Sequence, residues 1–452
     1  MRHHKQLAIV TMQTIDLLII ADFIIPVIPK NTVWQDKAIA VTDGKIIDIL
    51  PTDQAQRCYA PKETFRLKNH VIIPGLINAH THSPMNLFRG LADDLPLMDW
   101  LHHHMWPAEA AVMSPESVKI GTQLAIGEML LSGTTCFYDM FAFGEAIIEA
   151  VKACGMRALM GLNIMNVPNK WANDANECLK KSMAILNQNH GQLISFALAP
   201  HAPYTNTDQN LKDTRQLANQ YQLPIMIHLH ETQQEIQDSI KEYSMRPIAR
   251  LDHLGFLGDD VLAIHMVHVN DEDLAIAKKH HLSIAHCPHA NLKLGSGIAD
   301  MKRLKDAGLT VAIGTDSVAS NNDLNMFNEM RLASLMAKGL HQDSTAFCAS
   351  STLAMATIDG ARAMGLDHLI GSIEIGKCAD LVAFDLANPQ TQPLYNPISA
   401  LVYAGNANQV SHVWVNGLLK VNNHQLVDMN LEEILRQAEP FIKKAKAFQY
   451  PK

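Results

Sequence analysis

The sequence predicts an α/β protein: a (β/α)8 TIM-like barrel joined to a composite β-sandwich domain built from the N- and C-terminal segments. Three observations lead there. From residue 71 to residue 317, eight short apolar runs each end in polar residues, and amphipathic stretches separate most of them. Near-continuous apolar strands of this kind belong to a parallel sheet covered by helices. The first 70 residues, and those after residue 370, read instead as short strands broken by turns. With 452 residues, 48% of them hydrophobic, the chain can bury one large core and a smaller satellite.

The elements follow in order. "TIDLLIIADFIIPVI", "KAIAVTDGKIIDIL" and "ETFRLKNHVIIPG" supply the first strands, with Asp-Gly and Pro as breakers. "MRHHKQLAIV" opens basic and turns apolar, as a signal peptide does. Asp16 and Asp22 interrupt the following apolar stretch, and no small-residue cleavage site follows, so residues 15–28 are expected to be strands of a folded domain. The barrel strands are expected in "VIIPGLINAHTH", "TTCFYDM", "RALMGLN", "ISFALAPHAP", "PIMIHLHE", "VLAIHMVH", "LSIAHCPHAN" and "TVAIGTDS". "NLKDTRQLANQYQ" and "DEDLAIAKKHH" are two of the helices between them. "GSIEIGKCADLVAFD" and "VSHVWVNGLLKVNNHQLV" return to strand and are expected to pair with the N-terminal strands. Leu431 to Ala447 alternates apolar and charged residues at helical spacing and predicts a closing helix. The expected domains are residues 1–73, the N-terminal part of the β domain; 74–369, the barrel; and 370–452, the C-terminal part of the β domain with the closing helix.

Charge and cysteine usage exclude several classes. The formal net charge is −8 and no block of Lys and Arg occurs, so neither nucleic acid nor an anionic membrane is an expected partner. No segment carries the roughly 18 or more uninterrupted apolar residues of a membrane-spanning helix. The seven cysteines are odd in number and form no Cys-x-x-Cys pair, which predicts a reducing cytoplasmic setting. The unusual count is the 23 histidines, and it directs attention to metal ligands.

In such barrels the chemistry sits at the C-terminal ends of the strands. Here strand one ends with His80 and His82, strand four with His201, and strand five with His228, His230 and Glu231. Strand six carries His265 and His268, strand seven His286 and His289, and strand eight ends with Asp316. Polar residues gather wherever strands meet loops, which explains any one of these but not imidazoles or a carboxylate on six of eight strands. Alternate residues on a strand share a face, so His80 and His82 address one point. A catalytic zinc takes nitrogen and oxygen ligands and keeps one position for water, and His80, His82, His228 and Asp316 supply such a set. Activation of that water supplies a nucleophile. Glu231, just past the strand end, is placed to pass protons without ligating the metal, and His265 to hold or shuttle one nearby.

These features, with "LFRGLADDLPLMDWLHHHMWPAEA", "APHAPYT", "HLHET", "HCPHANLKLGSG" and "IGTDSVASNNDLNMFNEM", resemble the amidohydrolase superfamily. The likeness spans nearly the whole chain and is nearest to the 5-methylthioadenosine/S-adenosylhomocysteine deaminases. It implies metal ligation by His80, His82, His228 and Asp316. It implies catalytic roles for Glu231, His265 and Asp316. It also assigns Glu109 to the ribose hydroxyls and His201 to the bound nucleoside, with Glu231 and Asp316 contacting the substrate. Binuclear members usually carry a modified Lys on strand four; "ISFALAPHAPY" has none, so one Zn2+ per subunit is expected. The implied enzyme is an aminohydrolase of cyclic amidines acting on 5′-methylthioadenosine, with S-adenosylhomocysteine and adenosine as further candidates. The implied setting is a cytoplasmic homo-oligomer. Guanine or pterin deamination, triazine hydrolysis and a non-catalytic metal scaffold are the alternatives; Glu231 and His265 argue against the last, since ligation alone requires neither.

The other histidines carry weaker expectations. His102, His103 and His104 fall on a helix, where adjacent residues face different directions. His3, His4, His280 and His281 are expected in solvent and His230 packed or hydrogen-bonded. His268, His286 and His289 either line the pocket or order a loop. After strand three, "GLNIMNVPNKWANDANECLKK" holds no Arg, and Lys170 is its nearest cation to the site. Arg89, from another part of the chain, is the arginine expected to be able to reach the site.

Overall fold

Apolar alternation in the opening segment becomes strand pairing. The computed structural model describes residues 12–188 and 191–449; His3 and His4 and the basic opening stretch lie outside the described residues. The first strands are β1 (Gln13–Ile24), β2 (Trp34–Gln35), β3 (Lys37–Thr42), β4 (Lys45–Pro51) and β5 (Tyr59–Pro74). The barrel strands follow as β6 (Leu76–Thr81), β7 (Thr134–Phe141), β8 (Arg157–Ile164), β9 (Ile194–Pro200), β10 (Ile225–Leu229), β11 (Val261–His265), β12 (Ser283–His286) and β13 (Thr310–Ile313). The last are β14 (Leu381–Asp385), β15 (Val410–Val415), β16 (Leu418–Asn422) and β17 (Gln425–Leu426).

The two ends of the chain share one mixed nine-stranded sheet, in the order β17-β16-β15-β14-β5-β1-β3-β4, with β2 on β1. β1 and β5 run parallel, with Ile24 opposite Ile72, and β14 joins β5 antiparallel, with Val382 opposite Ile73. Alternation gives this sheet two apolar faces. Leu17, Ile19, Ile39, Ile72 and Trp414 pack on one, and Ile15, Leu18, Ala38 and Ala40 on the other.

The run "VIIPGLINAHTH" serves both parts. Val71 to Pro74 complete β5, and β6 begins after Gly75. A Cβ at Gly75 would lie 1.9 Å from Thr135 Oγ1, so only glycine permits the close passage. The barrel strands form one eight-stranded parallel sheet from β6 to β13. Its two edges meet: the Asp316 N–H donates to the His80 carbonyl at 3.0 Å, and Asn78 Nδ2 donates to Thr315 Oγ1 at 2.7 Å. Ile77, Ala79, Tyr138, Leu159, Ala197, Met226, Ile264, Ala285 and Ala312 fill the interior. Barrel and β domain are fastened by a buried pair, with Arg157 Nε 2.8 Å from Asp380 Oδ2 and Nη2 3.0 Å from Oδ1.

The closing helix spans Leu431–Ala445, with Asn430 capping it through the Glu433 N–H. Ile434, Ala438, Phe441 and Ala445 form its buried stripe, and it packs on helices Pro115–Leu131 and Trp106–Val112. Among the described residues no helix is long and apolar enough to cross a membrane.

Candidate metal centre and substrate pocket

His80, His82, His228 and Asp316 come together at the barrel mouth, with one ligand atom from each lying within 4.8 Å of all the others. Strand ends deliver them. His80 and His82 leave β6 on one face, His228 lies on β10, and Asp316 follows β13. His80 Nε2 is 3.1 Å from His228 Nε2 and 3.3 Å from Asp316 Oδ1. His82 Nε2 is also 3.3 Å from Asp316 Oδ1. The distal nitrogens are fixed by the main chain: His82 Nδ1 donates to the Met140 carbonyl and His228 Nδ1 to the His201 carbonyl at 2.7 Å. His82 then turns an Nε2 lone pair toward the carboxylate, and His228 turns one toward His80 Nε2. Lone pairs and a carboxylate converging in a buried place repel one another, and a cation resolves the repulsion. The donor set of three imidazole nitrogens and one oxygen suits zinc.

Asp316 adopts a left-handed backbone, φ +60°, as does His265, φ +76°. Non-glycine residues in that region are sparse and gather at functional sites. Ser320 Oγ donates to the second oxygen of Asp316 at 2.8 Å. Burial alone would push the Asp316 carboxyl up; the imidazoles of His80 and His82 outweigh it and hold the group well below the usual range.

Above the centre lies a cavity of about 450 Å³, within the range of small-molecule sites. His82, His201, His228, Glu231, His265 and Asp316 line its polar end, and Trp100, Trp106, Met113, Phe141, Phe143 and Met165 much of its apolar wall. Every expected site residue except the fully buried His80 therefore lines one pocket. Glu109 enters from helix Trp106–Val112, and burial pushes its carboxyl up to about 7, against the opposing pull of His82. Burial also raises Glu231, although His265 pulls it down. Glu231 Oε2 is 3.7 Å from His265 Nε2.

The remaining histidines sort themselves out. His230 is packed, with Nδ1 3.0 Å from the His268 carbonyl and Nε2 accepting from the Ile248 N–H at 3.1 Å. His268 Nε2 bonds the Ser296 carbonyl at 2.7 Å and so orders a loop. β12 ends at His286, while His289 lies on helix Pro288–Lys293, its Nδ1 3.0 Å from Glu329. His102 lines the pocket, and His104 is buried with Nδ1 2.8 Å from the Phe448 carbonyl. His281 is exposed as expected; His280 is not fully solvated, since its Nε2 pairs with Asp252 at 2.6 Å.

Residues 71–419 match the Amidohydrolase family. The chain belongs to this family. This amidohydrolase is 42% identical over 424 residues to a 5-methylthioadenosine/S-adenosylhomocysteine deaminase of Saccharophagus degradans, covering 94% of the chain and 95% of the relative. It is 38% identical over 417 residues to a 5′-deoxyadenosine deaminase of Methanopyrus kandleri, covering 92% and 96%. Among solved structures, it matches a zinc-bound adenosine deaminase from Xanthomonas campestris with a TM-score of 0.94 and 43% identity, covering 97% and 100%. A zinc-bound atrazine chlorohydrolase from Arthrobacter aurescens has a TM-score of 0.87 at 23% identity, covering 94% and 100%, and shares the fold.

Sequence reasoning missed the residues that hold this amidohydrolase site in shape. Glu235 accepts the N–H groups of His230 and Glu231 at 3.0 and 2.7 Å. The Thr-x-x-Glu spacing of Thr232 and Glu235, a helix-start signal, could have found it. Asp139 accepts from the Ser83 N–H at 2.8 Å and from its hydroxyl, anchoring the chain just after His82. Asn163 lines the pocket and its buried Oδ1 has no hydrogen-bond partner among the described residues, and Asn291 faces His265 at 2.8 Å. No sequence signal distinguishes these two asparagines from loop residues.

Proposed function

We propose that this amidohydrolase replaces the 6-amino group of 5′-methylthioadenosine and close adenosine analogues with oxygen, giving the inosine analogue and ammonia. The observation that carries the reading is one pocket opening onto the three-His, one-Asp set, with Glu231 beside it and Glu109 in an otherwise largely apolar wall. The names of the Saccharophagus and Methanopyrus relatives, and the zinc in the Xanthomonas structure, support the same chemistry here.

His80, His82, His228 and Asp316 would hold the zinc, one per chain, since β9 offers no Lys to bridge a second. A zinc ion so held supplies Lewis-acid activation of water near neutral pH. Asp316 takes the first proton from the attacking water as its oxygen bonds C6. Glu231 gives its proton to ring N1, which spreads the developing charge. His265 steadies the tetrahedral centre. The C6–N bond then breaks, the proton on Asp316 leaves with ammonia, and the second water proton restores Glu231 as C6=O forms. Glu109 and His201 bind the ribose side, and the aromatic and Met wall receives the base and the 5′-thioether. The acidic net charge and seven free cysteines support a cytoplasmic enzyme that does not bind nucleic acid; we take it to be a homo-oligomer, which light scattering checks.

Ammonia release across nucleosides, bases and triazines tests the proposal. Turnover of 5′-methylthioadenosine is expected, with about one zinc per chain in active protein and loss of activity on chelation. Turnover confined to guanine, pterins or triazines would overturn it. Full activity only at two metals per chain would overturn the single-metal part.

A further inference from the structure

The proposed reaction gives no part to the side chain that holds His265. His265 Nδ1 lies 2.8 Å from Asn291 Oδ1, and both residues are 1% exposed. Asn291 comes from helix Pro288–Lys293, beyond the next barrel strand. Its own main chain is pinned: its N–H donates to the Cys287 carbonyl at 3.0 Å, and its carbonyl accepts from Ser296 and Gly297 at 2.8 and 3.4 Å. His265, by contrast, has a left-handed backbone at the end of β11, so simple strand alternation does not aim its ring. The other ring nitrogen, Nε2, faces Glu231 at 3.7 Å, and the ring stacks at 5.4 Å on that of His228.

We propose that Asn291 is a positioning residue that acts through His265. Its amide oxygen can only accept, so Nδ1 carries the hydrogen and Nε2 presents a lone pair. That lone pair points into the space between Glu231 and the tetrad. His265 therefore accepts a hydrogen bond from the oxygen adding to C6, while Glu231 is the partner that donates. Asn291 divides the two roles by fixing which nitrogen of its neighbour bears hydrogen, as outer partners fix imidazoles around metals. The catalytic part rests on the deaminase reading; the ring orientation does not.

The experiment compares N291L, N291D, H265Q and the H265Q/N291L double variant, all zinc-loaded. N291L has nearly the same shape and removes the acceptor; N291S, too short to reach the ring, replaces it if N291L does not fold. We expect N291L to keep its zinc and its KM while kcat falls roughly 10–100-fold. N291D offers only acceptor oxygens and is expected to retain most of kcat. In the H265Q background, N291L is expected to add no further loss, since residues acting through one another are not additive. A crystal structure of N291L should show the His265 ring turned from its wild-type direction. Additive losses in the cycle would overturn the proposal, and so would an unmoved ring. An N291D loss as large as that of N291L would show a donor amide and reverse the tautomer. If the wild type releases no ammonia from any nucleoside, the function reading fails alone, and the ring direction in the N291L crystal still decides this one.

Discussion

Glu231 sits just past the end of β10 with its N–H held by Glu235, and burial raises its carboxyl. E231Q keeps the size and loses the exchangeable proton. Acid–base groups contribute about 10²–10⁴-fold, so kcat of E231Q should fall by at least about 10²-fold with zinc content unchanged. His80→Ala should lose zinc and activity together, because it removes a ligand and not a proton carrier; metal analysis beside kinetics separates the two. A second residue-scale expectation concerns pH. Burial, helped by His70 and His424, lowers His412 from its usual 6.5 to about 4. Between those values the unfolded chain binds a proton that the folded one refuses. The contribution is therefore complete above pH 6.5 and is lost as pH falls through about 4. H412F keeps a ring against Trp414, on which His412 stacks at 5.7 Å. The Tm difference between wild type and H412F should move against the wild type from pH 7.5 to 4.5. A difference constant over that range removes His412 from the acid response.

On the function proposed above, the loop after β8 meets the 5′ end of the substrate. Asn169 and Lys170 line the pocket there, and Lys170 Nζ already donates to the Ala111 carbonyl at 3.1 Å. Arg89 pairs with Glu128, donates to Asn86 Oδ1 at 2.6 Å, and is absent from the cavity lining. Among the described residues no guanidinium thus lines the pocket to meet an amino-acid carboxylate. 5′-Methylthioadenosine should have the highest kcat/KM, ahead of adenosine and S-adenosylhomocysteine, and comparison of the three decides it. A clear preference for S-adenosylhomocysteine would mean another cation serves the carboxylate. At this scale the strands were legible. All eight barrel runs became strands because apolar, β-branched stretches bounded by turns are a local signal. The division of the first run at Gly75 was not, since it depends on Thr135, which arrives from β7.

Over the whole molecule, the Arg157–Asp380 pair ties the base of the barrel to the β domain, and Asp380 also receives the Asn416 N–H at 2.8 Å. Breaking a buried pair from one side leaves an uncompensated charge and typically costs about 3–5 kcal/mol. R157L should lose stability on that scale in denaturant unfolding. The R157L/D380L variant should recover part of the loss, because no lone charge remains. Equal losses in both would show that the pair matters through Asn416 and local packing alone.

The sequence by itself determined the strands and the residues at their ends. His80 and His82 share a face because alternation is a property of the backbone, and Glu231 follows His228 closely enough that one strand end presents both. Such relations need no knowledge of distant chain. Tertiary structure decided the rest. It brought Asp316 to His80, made the chain ends one sheet through β5 and β14, and gave Asn291, Glu235 and Asp139 their partners. It also set the carboxyls of Glu109 and Glu231 above their ordinary range, since burial is a property of the fold and not of the residue. An asparagine or a carboxylate reads alike in any loop; its meaning comes from the neighbours that long-range packing supplies.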